Sequence, residues 1–325
     1  MTLVRRWLLA MMLLLVAAAA TIWWQFSSDL AAARAKAALG STVIDTPCGL
    51  IEYQEAGTGP PLLAVHGSGG GFDQGMAFAA PLVTRGIRVI AMSRFGYLRT
   101  PMPADGSAEA QADAFVCLMD ALGVPSAAVM GGSAGALSAL QMAVRHPDRV
   151  SALILLVPLG YKPPGQPNSA EPMAPWVEAA MMRVIGSDFL FWSAMHVARD
   201  RVIATVLATP PSLLAKASPA EHTRINAMLD GILPVSARAA GLRADTAAGK
   251  TMTPVDLSRV RAPTLIISAR DDGYGTYAAA EYMAGQIAGA RFIGFETGGH
   301  TWVGHNDAVM SAIAALVTAP QDNAP

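Results

Sequence analysis

A serine sits among glycines at Gly131-Gly132-Ser133-Ala134-Gly135, with the apolar run Ala127 to Met130 before it and an alanine- and leucine-rich, helix-forming segment after it. A G-x-S-x-G pentapeptide joining a short buried strand to a helix leaves the backbone few options. The turn strains the serine, so its neighbours must be small. Gly131 and Gly135 let strand and helix approach closely, and the Ser133 hydroxyl projects from the turn. The helix N-terminus beneath it offers free N–H groups and a partial positive charge to an oxyanion. Taken alone, the pentapeptide also suits a chance glycine-rich turn or the turn of a nucleotide-binding fold.

Further segments fall where such a serine requires them. In residues 60–75 the apolar run Leu62 to Val65 leads into His66-Gly67-Ser68-Gly69-Gly70-Gly71. A glycine-rich loop after a strand turns backbone N–H groups toward one point, and those of Ser68 and Ala134 are the pair predicted to hold an oxyanion. The loop lacks the Lys-Ser/Thr of a phosphate-binding loop, and a dinucleotide-binding G-x-G-x-x-G spacing would need glycine at Phe72. Downstream, the strand Thr264 to Ser268 ends near Asp271 and Asp272, and the strand Arg291 to Phe295 ends near Gly298-Gly299-His300. On neighbouring parallel strand ends a carboxylate accepts the Nδ1–H of a histidine, whose Nε2 takes the serine proton. The chain order is serine, acid, histidine.

The segments LLAVHGSGGG, VMGGSAGALSAL with RHPDRVSALILLVP after it, PTLIISARDD and TGGH resemble those of α/β-hydrolase-fold proteins, from about residue 43 to 318. The resemblance implies an α/β-hydrolase fold, a mostly parallel central sheet flanked by helices, with a helical lid inserted between strands 6 and 7. It implies Ser133 as nucleophile, Asp272 as triad acid and His300 as base, Ser68 and Ala134 as oxyanion donors, and no metal or organic cofactor. Aligning on the family's strand-Gly-x-x-Asp pattern selects Asp272, and a shift by one residue selects Asp271. His305 competes with His300 but is expected in a capping or loop role at the start of the last helix. His66 matches the family's loop histidine, which braces the oxyanion turn, while His146, His196 and His222 are expected as ordinary surface or cap residues. Many members carry Asp-x-x-Gly-x-Gly-x-Ser after the fourth strand, where this chain has Ser93-Arg94-Phe95-Gly96-Tyr97-Leu98-Arg99-Thr100. No subfamily's substrate therefore transfers directly. A serine nucleophile excludes the haloalkane dehalogenase and epoxide hydrolase branches, which use aspartate.

The N-terminus carries a separate signal. Arg5-Arg6 precede residues 7–24, which hold no charge and have Trp7 at one end and Trp23-Trp24 at the other. About 18 to 20 such residues span a bilayer, and tryptophans favour its interfaces. The reading is a retained single-pass anchor with the catalytic domain on the non-cytoplasmic side, so that the lipid bilayer is a partner. Ala17-Ala18-Ala19-Ala20 contains an A-x-A pattern, which leaves a cleaved signal and a secreted or periplasmic product as the alternative. The expected organisation is a cytoplasmic flank (1–6), an anchor or signal (7–26), a linker or helix (27–41), a hydrolase core (42–159 and 251–320) and a helical cap (160–250).

Within the core, Thr42 to Glu55 reads as a hairpin, since the apolar Ile51 and Tyr53 alternate with the polar Glu52 and Gln54, Arg88 to Met92 and Ala152 to Val157 read as strands, and Ala108 to Leu122 as an amphipathic helix. The cap begins at a proline-rich turn, Pro163 to Pro167, followed by candidate helices Pro175 to Ile185, Phe189 to Leu207, Pro219 to Ile232 and Val235 to Ala247. Its Trp176, Met181, Met182, Phe189, Phe191, Trp192 and Met195 either line an apolar pocket or pack cap on core. With 23 basic and 24 acidic side chains and no basic tract, nucleic-acid binding has no electrostatic support and is not expected. Cys48 and Cys117 are distant in sequence and are expected as free, mostly buried thiols rather than a bridge, although an oxidising compartment would allow one. The expected activity is a membrane-anchored or exported serine hydrolase cleaving a small apolar carboxylic ester or lipid-like acyl substrate. Carbon–carbon bond hydrolysis, acyl transfer, perhydrolysis and non-catalytic binding of a small ligand stand as alternatives. The loop HGSGGG resembles that of ring-cleavage product hydrolases.

Overall fold

Leu62 and Ala64 pack on one side of the central sheet and Leu63 and Val65 on the other, and all four are buried. A strand covered on both faces reads as a continuous apolar run, as a parallel strand in the middle of an α/β sheet does. The architecture comes from a computed structural model that describes residues 3–161, 163, 174–250, 252 and 255–319. Its strands are β1 (Thr42–Thr46), β2 (Gly49–Ala56), β3 (Pro61–Val65), β4 (Arg88–Met92), β5 (Ala127–Gly132), β6 (Val150–Leu156), β7 (Thr264–Ala269) and β8 (Arg291–Phe295). They form one sheet in the order β1-β2-β4-β3-β5-β6-β7-β8. The pairings of β1 with β2 and β2 with β4 are antiparallel, and the rest are parallel. The expected mostly parallel sheet flanked by helices is present.

One face is covered by α3 (Ala108–Ala121), α4 (Gly135–Arg145) and α11 (Tyr277–Gln286), through Phe115, Leu118, Leu140 and Met283. The other is covered by α2 (Phe72–Val83) and α12 (Asn306–Val317), through Leu82, Val309 and Ile313. Ser107 caps α3, its hydroxyl accepting the Ala110 N–H.

Between β6 and β7 the chain forms α5 (Pro175–Ile185), α6 (Asp188–Val197), α7 (Arg199–Val206), the single turn α8 (Pro211–Leu214), α9 (Pro219–Asp230) and α10 (Ala239–Lys250), with no strand among the described residues. The expected helix Phe189 to Leu207 is two helices, because Ala198 leaves helical geometry at φ −143° and ψ 46°. The expected start at Val235 is a 3-10 turn, Val235–Arg238, before α10. Pro164 to Pro167 of the proline-rich turn lie outside the described residues.

The N-terminal segment and the expected linker are one helix, α1 (Leu3–Ala38), long and apolar enough by length and composition to cross a membrane. Its first two thirds are exposed, whereas Phe26 and Leu30, one turn apart, are buried against α6. Phe26 meets Phe189 edge-on at a centroid distance of 5.1 Å and Trp192 at 5.7 Å. The Trp192 Nε1–H donates to Asp29 at 2.8 Å.

Cys48 and Cys117 are joined in a disulfide, not free, because the β1–β2 turn folds over α3 and brings their Cα atoms to 6.1 Å. Glu52, which the hairpin alternation placed on a polar face, is fully buried. Its carboxylate accepts from Arg99 Nε at 2.7 Å, the Ser41 hydroxyl at 2.8 Å, the Ser93 hydroxyl at 2.9 Å and the Arg99 backbone N–H at 3.0 Å. A buried carboxylate persists only when its lone pairs are filled in this way.

Candidate active site

Ser133 follows β5 with φ 50°, a left-handed conformation that L-residues rarely adopt. The turn is held from both sides: the Ser133 N–H donates to Leu156 O at 2.9 Å, and Ser133 O accepts from Ala136 N and Leu159 N, each at 3.0 Å. The flanking glycines have a steric reason. A Cβ on Gly131 would lie 2.8 Å from the Ala139 side chain, and one on Gly135 would meet the main-chain oxygens of His66 and Val65. Gly135 thus permits the start of α4 to sit against the end of β3, and it brings the glycine-rich loop to the serine. A Cβ on Gly67 would stand 3.1 Å from Ser133 Cβ.

The acid and the histidine come from the two strand ends expected. Asp272, after β7, accepts from His300 Nδ1, after β8, at 2.8 Å. The same carboxylate accepts from the Thr276 hydroxyl and from the Tyr274 N–H at 2.9 Å. Burial pushes this carboxyl up, but the His300 imidazole and the three hydrogen bonds outweigh burial and hold it below the ordinary aspartate range. Asp271 serves a different group, accepting the Gly299 N–H at 2.8 Å. His305 stacks on Phe295 and pairs through Nε2 with Thr297 O at 2.9 Å, away from both acids. Tyr274 meets the His300 ring edge-on at 4.8 Å.

The glycine-rich loop is braced by His66. Arg94 N–H donates to His66 Nε2 at 2.9 Å, and His66 Nδ1 lies 2.7 Å from Gly67 O. Those partners assign the proton to Nδ1. Burial, with the nearby Arg94 guanidinium, lowers the His66 pKa well below the usual value, so the ring stays neutral. Neither the Ser68 N–H nor the Ala134 N–H donates to a protein acceptor among the described residues.

Residues that sequence reasoning missed come mostly from the insertion between β6 and β7. Ala208 O accepts from Gly273 N at 3.0 Å and His300 N at 3.3 Å, tying the acid and histidine loops together. Asp245 of α10 binds Arg94 and the Ser68 hydroxyl. Only Thr276, one helical turn beyond Asp272, carried a local spacing signal. A cleft of about 160 Å³ between α2, α9 and α12 is lined by Phe78, Met228, Arg224 and Trp302, and Phe78 also lies against Gly132 beside the serine.

A sheet of this order, with the serine after β5, the acid after β7 and the histidine after β8, defines an α/β hydrolase. The alpha/beta hydrolase fold family matches residues 60–303, and the chain belongs to that family. Among curated proteins it is 36% identical over 114 residues to 2-hydroxymuconate semialdehyde hydrolase of Pseudomonas sp. (strain CF600), covering 34% of this chain and 40% of that protein. It is 34% identical over 116 residues to 2-hydroxy-6-oxo-6-phenylhexa-2,4-dienoate hydrolase of Comamonas testosteroni, covering 34% of this chain and 41% of that one. The chain thus matches about two fifths of these relatives' length. Among solved structures, an alpha/beta hydrolase fold protein from Nakamurella multipartita is 28% identical with TM-score 0.66, covering 85% of this chain and 98% of that one. A membrane phospholipase A, 23% identical with TM-score 0.64, covers 96% of this chain and 98% of its own, so that likeness of fold extends into α1.

Proposed function

We propose that the chain is a serine hydrolase working through a covalent acyl-enzyme, with a carbon–carbon bond beside a ketone as its target. The observation that carries the serine chemistry is Ser133 in a left-handed turn at the head of α4, with the His300–Asp272 pair on strand ends of the same sheet edge. The curated relatives' activities support the carbon–carbon target.

Ser133 Oγ attacks the ketone carbon while His300 Nε2 takes its proton, and Asp272 stabilises the imidazolium. The N–H groups of Ser68 and Ala134 receive the oxyanion. Collapse breaks the bond to the departing carbon, which leaves with the electron pair and takes the proton from His300. Water, activated by His300, then hydrolyses the ester, releasing a carboxylic acid and restoring Ser133. A carbon departs this way only where a conjugated carbonyl spreads its charge, which points to a conjugated oxo acid as substrate.

Ester hydrolysis is the second reading, with an alkoxide as the leaving group. The apolar α1 favours it, since a site held at a bilayer meets apolar esters at high local concentration. We assign the helices between β6 and β7 to a cap over the site. We place the domain on the non-cytoplasmic side, as the Arg5-Arg6 flank and the Cys48–Cys117 bridge both support.

A fluorophosphonate probe is expected to label the protein at Ser133 and to miss Ser133→Ala. Turnover of a 2-hydroxy-6-oxo-dienoate above that of p-nitrophenyl esters supports carbon–carbon hydrolysis, and the reverse order supports the esterase. A protein that neither labels nor turns over either substrate overturns the enzyme reading.

A further inference from the structure

The loop His66–Gly71 contains four glycines, one of them, Gly69, at φ 76°, and a segment so rich in glycine has much conformational freedom to lose. Outside contacts hold it at nearly every residue. Gly67 N donates to Gln74 Oε1 at 2.9 Å, Arg94 Nε donates to His66 O at 3.0 Å, and Arg238 donates to Gly70 O at 2.6 Å. Ser68 is the exception on its main chain. Its side chain supplies the tether instead, donating to Asp245 Oδ2 at 2.7 Å across 177 residues of sequence.

Asp245 is suited to that task. Arg94 grips it with two bonds, 2.8 Å to Oδ1 and 2.6 Å to Oδ2, and the Tyr97 hydroxyl donates to Oδ2 at 2.5 Å. The pair is nearly inaccessible to solvent. A buried ion pair stabilises a fold poorly, because desolvation cancels most of the attraction, but it fixes geometry. Arg94 in turn holds His66, so one network fixes residues 66 and 68 together.

We propose that Asp245, on the inserted helix α10, is a positioning residue that aims the Ser68 backbone N–H at the developing oxyanion, so the oxyanion loop is incomplete without the insertion. This rests on the reading of Ser133 as nucleophile. The role explains why Ser93–Thr100 departs from the usual family pattern: Arg94 and Tyr97 are the two side chains that seat Asp245.

The test uses the full chain with a p-nitrophenyl ester and a trifluoromethyl ketone, which forms a tetrahedral adduct with the serine. Removing one oxyanion donor costs about 100- to 1,000-fold in kcat; loosening one is expected to cost less. Ser68→Ala and Asp245→Asn are each expected to lower kcat about 10- to 100-fold with KM within about twofold, and to weaken the ketone by the same factor as kcat. Ser68→Thr keeps the hydroxyl and is expected to restore most of the rate. Should Asp245→Asn fail to fold, Ser68→Ala decides, because its side chain is at the surface. Unchanged kcat and ketone affinity in Ser68→Ala, with fluorophosphonate labelling intact, overturns the positioning role alone. Failure of the unaltered protein to label overturns the nucleophile reading and the positioning role together.

Discussion

Asp271 and Asp272 are adjacent in the chain and serve different loops: Asp272 receives the His300 ring, while Asp271 receives the Gly299 backbone N–H. Asp272→Asn is therefore expected to lower kcat by about 1,000- to 10,000-fold, since an amide favours the wrong imidazole tautomer. Asp271→Asn keeps an acceptor for Gly299 and is expected to cost less than about tenfold, a weak second-residue effect on loop position. Steady-state rates of the two variants check this, and a larger loss in Asp271→Asn would reverse the roles.

Gly135→Ala puts a methyl group against the main-chain oxygens of Val65 and His66, which have no rotamer to change. The expected outcome is destabilisation by more than about 2 kcal/mol with loss of labelling at Ser133, since strand and helix must separate. Denaturant unfolding and probe labelling on one sample measure both.

His66 gives stability a pH dependence. Its folded-state pKa is depressed, so the native state refuses a proton that the unfolded chain accepts below about pH 6.5. Stability is complete above that pH and falls as the pH drops below it, by up to about 1.4 kcal/mol per unit for this one group. His66→Gln is expected to flatten the decline between about pH 6.5 and 5, read from Tm against pH. Equal slopes in the two proteins would contradict it.

Phe26 of α1 packs against Phe189 and Trp192 of α6. Phe26→Ala is expected to lower stability by about 2 to 4 kcal/mol, less than in a deep core because the site can collapse or rehydrate. A Tm drop in detergent solution, with the labelling rate of the folded fraction unchanged, is the expected result. An unchanged Tm would mean that α1 is not docked.

Much of the architecture was readable because it is local. Continuous apolar runs such as Leu62 to Val65 admit little but buried parallel strands, and glycines around Ser133 admit little but a tight turn. The misreadings occurred where the pattern's meaning depends on what lies across space. Glu52 alternates as a surface residue does, yet Ser93 and Arg99 arrive from another strand end to satisfy it. Cys48 and Cys117 have no spacing signature, because only the folding of the hairpin over α3 brings them together. Asp245 looks like any helical surface acid until Arg94 and Tyr97 are placed beside it.

The strands that carry the site, the strained serine turn and a segment apolar enough to cross a membrane followed from residue spacing, because periodicity and turn chemistry act within a few residues, while the choice between the acids at 271 and 272 came from the family resemblance. Which acid meets the imidazole, which side chains from the insertion reach the glycine-rich loop, and where α1 docks were settled only in three dimensions. Those contacts join segments scores of residues apart, and hydrogen bonds and ion pairs depend on distances of a few ångströms that no local pattern encodes.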